Sequence, residues 1–402
     1  MLFIVTIIAQ ILGIFLIEEK DMINYIERLE KFQALVEASA HVAFLPISAD
    51  LHYLMGIPRD IPNYGRVMHP AAWIEGAWII PQGEPILLLS RMTAEFGGLN
   101  NLGDVQVKVL GDWDDPTLLI QEIFKPLGDV VPKVAISDEA RGETITALHK
   151  LYPQITFVSA TKLLHQLRVV KSPEEIALMR RAGEITEAAF RDVVCQLKIG
   201  MTELDIISEV DYQLRRHGSL GPSFTTTLYC SGPNHPLLFG ERLKTWPRKL
   251  NPPVSVLFDF GAAYEGFCYD FGRTVSFGEP SAEQIQIHKL VMAAQSAGIT
   301  AMKAGQATAE AVDAAARQVI EAGGYGSAFR HRLGHGIGMD VHEPPFLTRS
   351  DQTILQEGML FTVEPSITQF NGFSARVEDV VLTTFAGGKP LTSGFQELVV
   401  VE

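Results

Sequence analysis

The sequence predicts an α/β domain followed by an α+β domain in which helices cover a largely antiparallel sheet. Three observations carry this reading. Short apolar runs alternate with helical patterns up to about residue 165. Ser172-Pro173-Glu174-Glu175 then forms a helix-start signal, a capping box with Pro at the first helical position. Beyond it, apolar strands that each carry an acid recur in pairs. A chain of 402 residues has room for both domains.

Residues 1–17 carry no charge and fall short of the roughly 20 residues that span a bilayer. They lack a basic leader region and a small-residue cleavage site, and Glu18-Glu19-Lys20-Asp21 ends them abruptly. Residues 1–21 therefore read as an apolar extension, with Met22 as the true start and a membrane anchor as the alternative. From Met22, Ile23, Ile26, Leu29, Phe32, Leu35 and Val36 follow a helical period. His41–Ile47, Ala77–Pro81, Pro85–Leu89 and Val105–Leu110 read as strands bounded by turn residues. Asp115–Leu127 reads as a helix, Lys133–Ile136 as a strand, Thr144–Leu151 as a helix and Ile155–Val158 as a strand. This gives a first domain over 22–165 and a second over 166–402. In the second, helices start at Ser172, Thr202, Ser281 and Thr308. Strands are expected at Val254–Phe260, Phe267–Val275, Leu360–Glu364 and Arg376–Leu382.

Composition narrows the function classes. Hydrophobic residues make up 47% and charged residues 20%, so a packed core is expected and disorder is excluded as the main state. A net charge of −14 argues against a nucleic-acid partner, which needs a basic field. The cysteines, Cys195, Cys230 and Cys268, are widely spaced and form no CxxC. Neither a disulfide framework nor a thiolate metal site is expected, and a reducing cytoplasm is the default compartment.

The chemistry lies in the acids. Val254, Val256, Phe258 and Phe260 share one strand face, and Asp259 sits on the other. After a Gly261–Gly266 turn region the chain returns through Asp270, so one hairpin brings two carboxylates together. Such a pair repels unless a proton or a cation lies between. Glu364 and Glu378 repeat the figure, with Arg376 on the face of Glu378. Between the hairpins, Gly334-His335-Gly336-Ile337-Gly338 implies close backbone approach around a histidine. Four carboxylates and an imidazole suit manganese, iron(II) or cobalt, and zinc less exclusively. They suffice for two ions about 3.5–4 Å apart, whose bound water is acidified towards a pKa of roughly 7.

At Asp259, Asp270, His335, Glu364 and Glu378 the sequence resembles the pita-bread metallopeptidases, the family of methionine aminopeptidase, prolidase, aminopeptidase P and creatinase. The resemblance runs from Met22 through nearly the whole chain. Its N-terminal part is similar to the creatinase/prolidase domain, which points to the Xaa-Pro peptidase branch and a pita-bread catalytic domain. The resemblance implies two divalent ions per subunit, manganese first, with cobalt, iron or zinc as alternatives. It implies that Asp259 chelates one ion, that Asp270 and Glu378 bridge both, and that His335 and Glu364 complete the second. It gives Glu364 the proton of a metal-bridging water, and His342 a contact with the scissile peptide. It sets Arg376 beside the cluster, and it implies a homodimer. One departure stands out. Where the family carries Ser-Gly-x-Asn-x-x-x-Pro-His, this loop reads Ser231-Gly232-Pro233-Asn234-His235-Pro236-Leu237-Leu238-Phe239. His235 is the available substitute, either at the site or a solvated bystander.

The function expected is a dinuclear Xaa-Pro peptidase, dipeptidase or aminopeptidase, acting on peptides. The alternative is a creatinase-like hydrolase of a small non-peptide C–N bond. A non-catalytic binding module is the third reading, and the intact ligand set counts against it.

Overall fold

The computed structural model describes residues 23–59, 70–99 and 105–402. The extension read at 1–21 and the start at Met22 lie outside them. Among the described residues no helix is long and apolar enough to cross a membrane.

The chain opens with α1 (Tyr25–Glu37), β1 (Val42–Leu45) and α2 (Ala49–Met55), followed by β2 (Gly76–Ile79) and β3 (Ile86–Ser90). Then come α3 (Arg91–Phe96), β4 (Gln106–Leu110), α4 (Pro116–Phe124), β5 (Lys133–Ile136), α5 (Gly142–Leu151), β6 (Thr156–Ser159) and α6 (Ala160–Arg168). The six strands form one mixed sheet in the order β4-β3-β2-β1-β5-β6. β1 pairs antiparallel with β2 and parallel with β5. Val42, Phe44, Trp78 and Leu88 face a core that includes Ile120 and Leu148, while Ala43, Leu45, Ile79 and Leu87 face a second core. Both faces are therefore covered, which explains why these strands read as continuous apolar runs.

α7 (Pro173–Gln196) starts at the expected capping box, where Ser172 and Glu175 satisfy each other's backbone N–H groups. α8 (Glu203–Arg216) starts with a second box from Thr202 and Asp205. These two helices cover a sheet built from β7 (Thr227–Ser231), β8 (Val254–Phe260), β11 (Phe271–Phe277) and β19 (Val399–Val401), in the order β19-β11-β8-β7. Phe190 of α7 anchors them, with ring centroids of Phe258, Phe271 and Phe395 at 5.3, 5.4 and 4.9 Å. A second pair, α10 (Ala282–Ala301) and α11 (Ala309–Ala322), covers β12 (Gly334–Gly336), β13 (Glu343–Leu347), β14 (Leu360–Val363), β17 (Asp379–Thr384) and β18 (Gly387–Pro390). That sheet is antiparallel throughout, in the order β13-β12-β14-β17-β18. The short α9 (Arg242–Thr245) and the two-residue strands β9 (Ala263–Tyr264), β10 (Phe267–Cys268), β15 (Ser366–Ile367) and β16 (Ala375–Arg376) complete the framework.

Two expected strands are interrupted, and both interruptions shape the site. Phe267–Val275 breaks at Tyr269-Asp270, where the small β9–β10 hairpin leaves the sheet before β11 begins. Arg376–Leu382 breaks at Val377-Glu378, where the chain passes from β16 to β17. There Glu378 forms an isolated bridge to Gly272 of β11, with N–H···O distances of 2.9 and 3.4 Å, and so joins the two sheets. A side chain at Gly272 would collide with the Glu378 carboxylate at 2.9 Å, so only glycine admits it.

Candidate metal centre

A cavity of about 950 Å³ opens where the two sheets meet. Asp259, Asp270, His335, Glu364, Glu378, Arg376 and His342 all line it. Each arrives on its own segment: Asp259 on β8, Asp270 just before β11, His335 on β12, His342 just before β13, Glu364 just after β14, Arg376 on β16 and Glu378 before β17. The glycines beside His335 do approach backbone closely. A Cβ at Gly334 would lie 1.9 Å from the Thr362 carbonyl oxygen, and one at Gly336 would lie 2.5 Å from that of Glu343. They let β12 lie tight between β13 and β14, which brings the imidazole to the carboxylates.

The distances define a compact cluster. His335 Nε2 lies 3.6 Å from Asp270 Oδ2 and 3.4 Å from Glu364 Oε1. Arg376 Nη1 lies 2.6 Å from Asp259 Oδ2, 3.7 Å from Glu364 Oε2 and 3.8 Å from Glu378 Oε2. His335 Nδ1 is 3.0 Å from the Gly336 carbonyl, which can only accept, so Nδ1 carries the proton and Nε2 presents its lone pair. Burial, then the neighbouring His342, lowers the His335 pKa to about 3, so the ring is neutral. Further back, Arg273 donates to the Glu378 carbonyl at 2.6 Å and to Asp379 at 2.7 Å. Gln295 donates to the carbonyls of Val363 and Val377 at 3.2 and 3.4 Å. These buried contacts fix the two segments that carry Glu364 and Glu378.

The cluster is short of positive charge. Four carboxylates face one guanidinium and a neutral imidazole. Burial first, then the surrounding carboxylates, pushes the Asp270 and Glu378 pKa values well above the usual range. Asp270 Oδ1 and Glu378 Oε2 are buried with no hydrogen-bond donor. Buried polar atoms are nearly always paired, so two orphans side by side are an anomaly. Asp270, His335 and Glu378 each offer a ligand atom within 4.8 Å of the others. This donor set, hard oxygens plus one imidazole, fits divalent cations.

His235 is elsewhere. A tight turn in which Gly232 and His235 exchange both backbone hydrogen bonds, at 2.9 and 3.1 Å, folds it back against Glu203, with Nε2 3.6 Å from Oε1. The cavity wall is formed instead by Leu237 and Phe239 from the same loop, and Phe239 stacks at 5.3 Å from Tyr229. The substitute for the family histidine is therefore corrected: an aromatic ring occupies that wall. Arg330, His331 and Arg332, to which the sequence pattern assigns no role, also line the cavity. Their signal was a basic triplet just ahead of the glycine-flanked histidine. Arg330 stacks on Phe370 and Arg332 on Phe346, at 5.1 and 4.5 Å. Neither forms an ion pair among the described residues.

Comparison with known proteins gives the family and the fold. Residues 177–384 match the model of metallopeptidase family M24. The chain is 35% identical to an Xaa-Pro dipeptidase of Lactobacillus helveticus over 93% of its own length and 98% of that protein's. The chain belongs to metallopeptidase family M24. The two-domain architecture is shared with other M24 members. Prolidase from Thermococcus sibiricus superimposes with a TM-score of 0.84 at 27% identity, covering 94% of this chain and 100% of that one. X-Pro aminopeptidase from Thermotoga maritima gives 0.76 at 27% identity, covering 92% and 100%. The fold of this chain is thus similar both to that of a prolidase and to that of an X-Pro aminopeptidase.

Proposed function

We propose that this M24 protein is a metal-dependent Xaa-Pro dipeptidase that hydrolyses the bond before a C-terminal proline. The observation that carries the reading is the charge-starved cluster at the sheet junction, with its two orphaned carboxylate oxygens. Asp259, Asp270, His335, Glu364 and Glu378 hold two divalent cations, with manganese the first candidate for this oxygen-rich set. Bound there, the cations supply Lewis acidity that acidifies water and offsets negative charge at a carbonyl oxygen.

The chain's own residues do the rest. Glu364 takes the proton of the attacking water on its carboxylate and returns it to the departing proline nitrogen. His342 stands at the cavity wall with its ring 4.1 Å from that of His335. It donates a hydrogen bond to the substrate backbone and steadies the tetrahedral intermediate. Arg376 keeps Asp259 oriented through its 2.6 Å contact. Phe239, Tyr229 and Phe346 give apolar surface to the substrate side chains. Arg330 and Arg332 have no carboxylate partner among the described residues, and they suit the free C-terminal carboxylate that a dipeptide brings near the scissile bond. That feature favours a dipeptidase over an aminopeptidase. We assign the catalytic domain to 166–402 and the preceding domain to 22–165, and we expect a cytoplasmic homodimer.

The test is hydrolysis by the full chain loaded with manganese. Substrates are Xaa-Pro dipeptides, Xaa-Pro-Xaa tripeptides and matched peptides with Ala for Pro. Cleavage confined to the proline dipeptides is expected. Equal cleavage of the tripeptides would overturn the dipeptidase assignment, and equal cleavage of the Ala peptides would overturn the proline assignment.

A further inference from the structure

A second cluster of metal-ligating side chains lies apart from the cavity. Glu203, Cys230 and His235 each place a ligand atom within 4.8 Å of the others, and all three are buried. They come from the first turn of α8, from β7 and from the Gly232–His235 turn. His235 Nε2 is buried with no hydrogen-bond partner. Its 3.6 Å separation from Glu203 Oε1 is too long for a hydrogen bond. The separation is close to the edge of a tetrahedron around a small cation with N and O ligands about 2.0–2.2 Å away. An imidazole whose side chain is only 10% exposed, with its free nitrogen aimed at a thiol and a carboxylate, calls for a partner.

We propose that Cys230 Sγ, His235 Nε2 and Glu203 Oε1 bind one thiophilic divalent cation of the zinc class, distinct from the cations of the carboxylate cluster. Wide cysteine spacing counts against a site made of thiolates alone, but the fold assembles a mixed S, N, O set from three segments. The donor chemistry separates the two sites. The cavity cluster offers oxygen and nitrogen only, whereas this one includes sulfur, which selects softer ions. Binding replaces the Cys230 thiol proton, which is released to solvent, and the new bond is sulfur to metal. Thiolate and carboxylate together offset the dication. Arg248, which donates to Glu203 Oε1 at 2.6 Å and to the Pro236 carbonyl at 2.8 Å, stays on a remaining carboxylate lone pair.

The consequence reaches the cavity. The ion clamps β7 and the Gly232–His235 turn to α8. β7 carries Tyr229 and pairs Thr227 with Asp259. The residues just beyond the turn, Leu237 and Phe239, form the cavity wall. The clamp is a structural metal site that sets the wall where the family histidine would stand.

Cobalt(II) is the probe. The full chain, reduced and stripped with chelator, is titrated with cobalt while a thiolate-to-cobalt charge-transfer band is followed in the near ultraviolet. Oxygen and imidazole ligands give no such band, so failure of the dinuclear reading and failure of this one are read separately. The band is expected to level off at the intensity of a single thiolate-bound cobalt per chain, whatever cobalt the carboxylate cluster also takes, and to persist in Asp270→Asn and in a Cys195→Ser, Cys268→Ser double variant. It should vanish in Cys230→Ser, and His235→Gln should lose at least about tenfold in cobalt affinity. A wild-type protein with no band in excess cobalt would overturn the proposal. So would a band that survives Cys230→Ser, or one that His235→Gln leaves at full affinity.

Discussion

Two clusters of carboxylates and basic side chains in this protein behave in opposite ways. At the sheet junction, Arg376 stands among Asp259, Asp270, Glu364 and Glu378. Where α2 and the end of α6 meet the start of β13, Arg168 and Lys171 stand among Asp50, Asp340 and Glu343. Arg168 reaches Asp50 at 2.6 Å, Asp340 at 2.8 Å and Glu343 at 2.5 Å. Lys171 reaches Glu343 at 3.1 Å, and Arg59 reaches Asp340 at 3.0 Å. Here three cations meet three carboxylates. Burial works against Glu343 ionisation, yet Arg168 and Lys171 overcome it and hold its pKa at about 2. In the first cluster one cation meets four carboxylates, and burial with mutual repulsion drives Asp270 and Glu378 upward. Charge balance, not the residue types, separates a structural brace from a site waiting for cations.

The largest expected effect breaks the first cluster. Asp270→Asn or His335→Ala should lower turnover of an Xaa-Pro dipeptide by more than about a hundredfold, beyond what loss of a supporting residue costs. Steady-state kinetics on metal-loaded protein measures it, and near-normal rates would mean these residues do not carry the reaction. The next effect breaks the brace. Glu343→Gln leaves Arg168 and Lys171 buried without their shared partner and should cost about 3–5 kcal/mol in denaturant unfolding. A smaller loss would show that water reaches the site.

A third effect has the opposite sign. In chelated protein, Asp270→Asn removes a buried carboxyl that the fold must hold protonated against neutral pH, and should raise stability on the order of 1 kcal/mol. pH sharpens the same contrast. Glu343, depressed from 4.5 to about 2, contributes stability that is complete above about pH 4.5 and is lost as pH falls through about 2. Asp270, raised, keeps its proton in the folded metal-free protein after the unfolded chain has released it, so that protein loses stability as pH rises past the usual carboxylate range. Glu343→Gln should flatten the acid limb of a stability profile, and Asp270→Asn the neutral limb. The smallest effect is at the wall. Phe239→His adds at most one hydrogen bond to substrate, worth about 0.5–1.5 kcal/mol, so KM should move by no more than about tenfold.

The two clusters also differ in how legible they were in the sequence. Asp259, Asp270, Glu364 and Glu378 are conspicuous because an acid in an apolar strand costs free energy unless something compensates it. Strand alternation and hairpin spacing then bring them together without long-range information. The brace has no such signature. Arg168 sits on a helix that the pattern did not reveal, and its partners lie 118 and 175 positions away. Pairing over that distance is set by how α2 and α6 meet the start of β13. His235 failed for a local reason: backbone hydrogen bonds in its turn point the ring at α8, which residue spacing does not encode. Helix starts were legible where side-chain caps exist, at Ser172, Thr202, Ser281 and Thr308. Short strands such as β12 and β18 were not, because three or four residues carry too little periodicity.

The central claim is that the charge-starved cluster holds two divalent cations and the balanced one holds none. The most direct measurement is elemental analysis of the full chain after equilibration with manganese and removal of free ion. Manganese is too hard an ion for the Cys230 site, so the count reports the carboxylate cluster alone. The account predicts two manganese ions per chain in the wild type, fewer in Asp270→Asn and His335→Ala, and two in Glu343→Gln once its folding is verified. A wild-type chain that retains no manganese, or an Asp270→Asn chain that retains both ions, would contradict it.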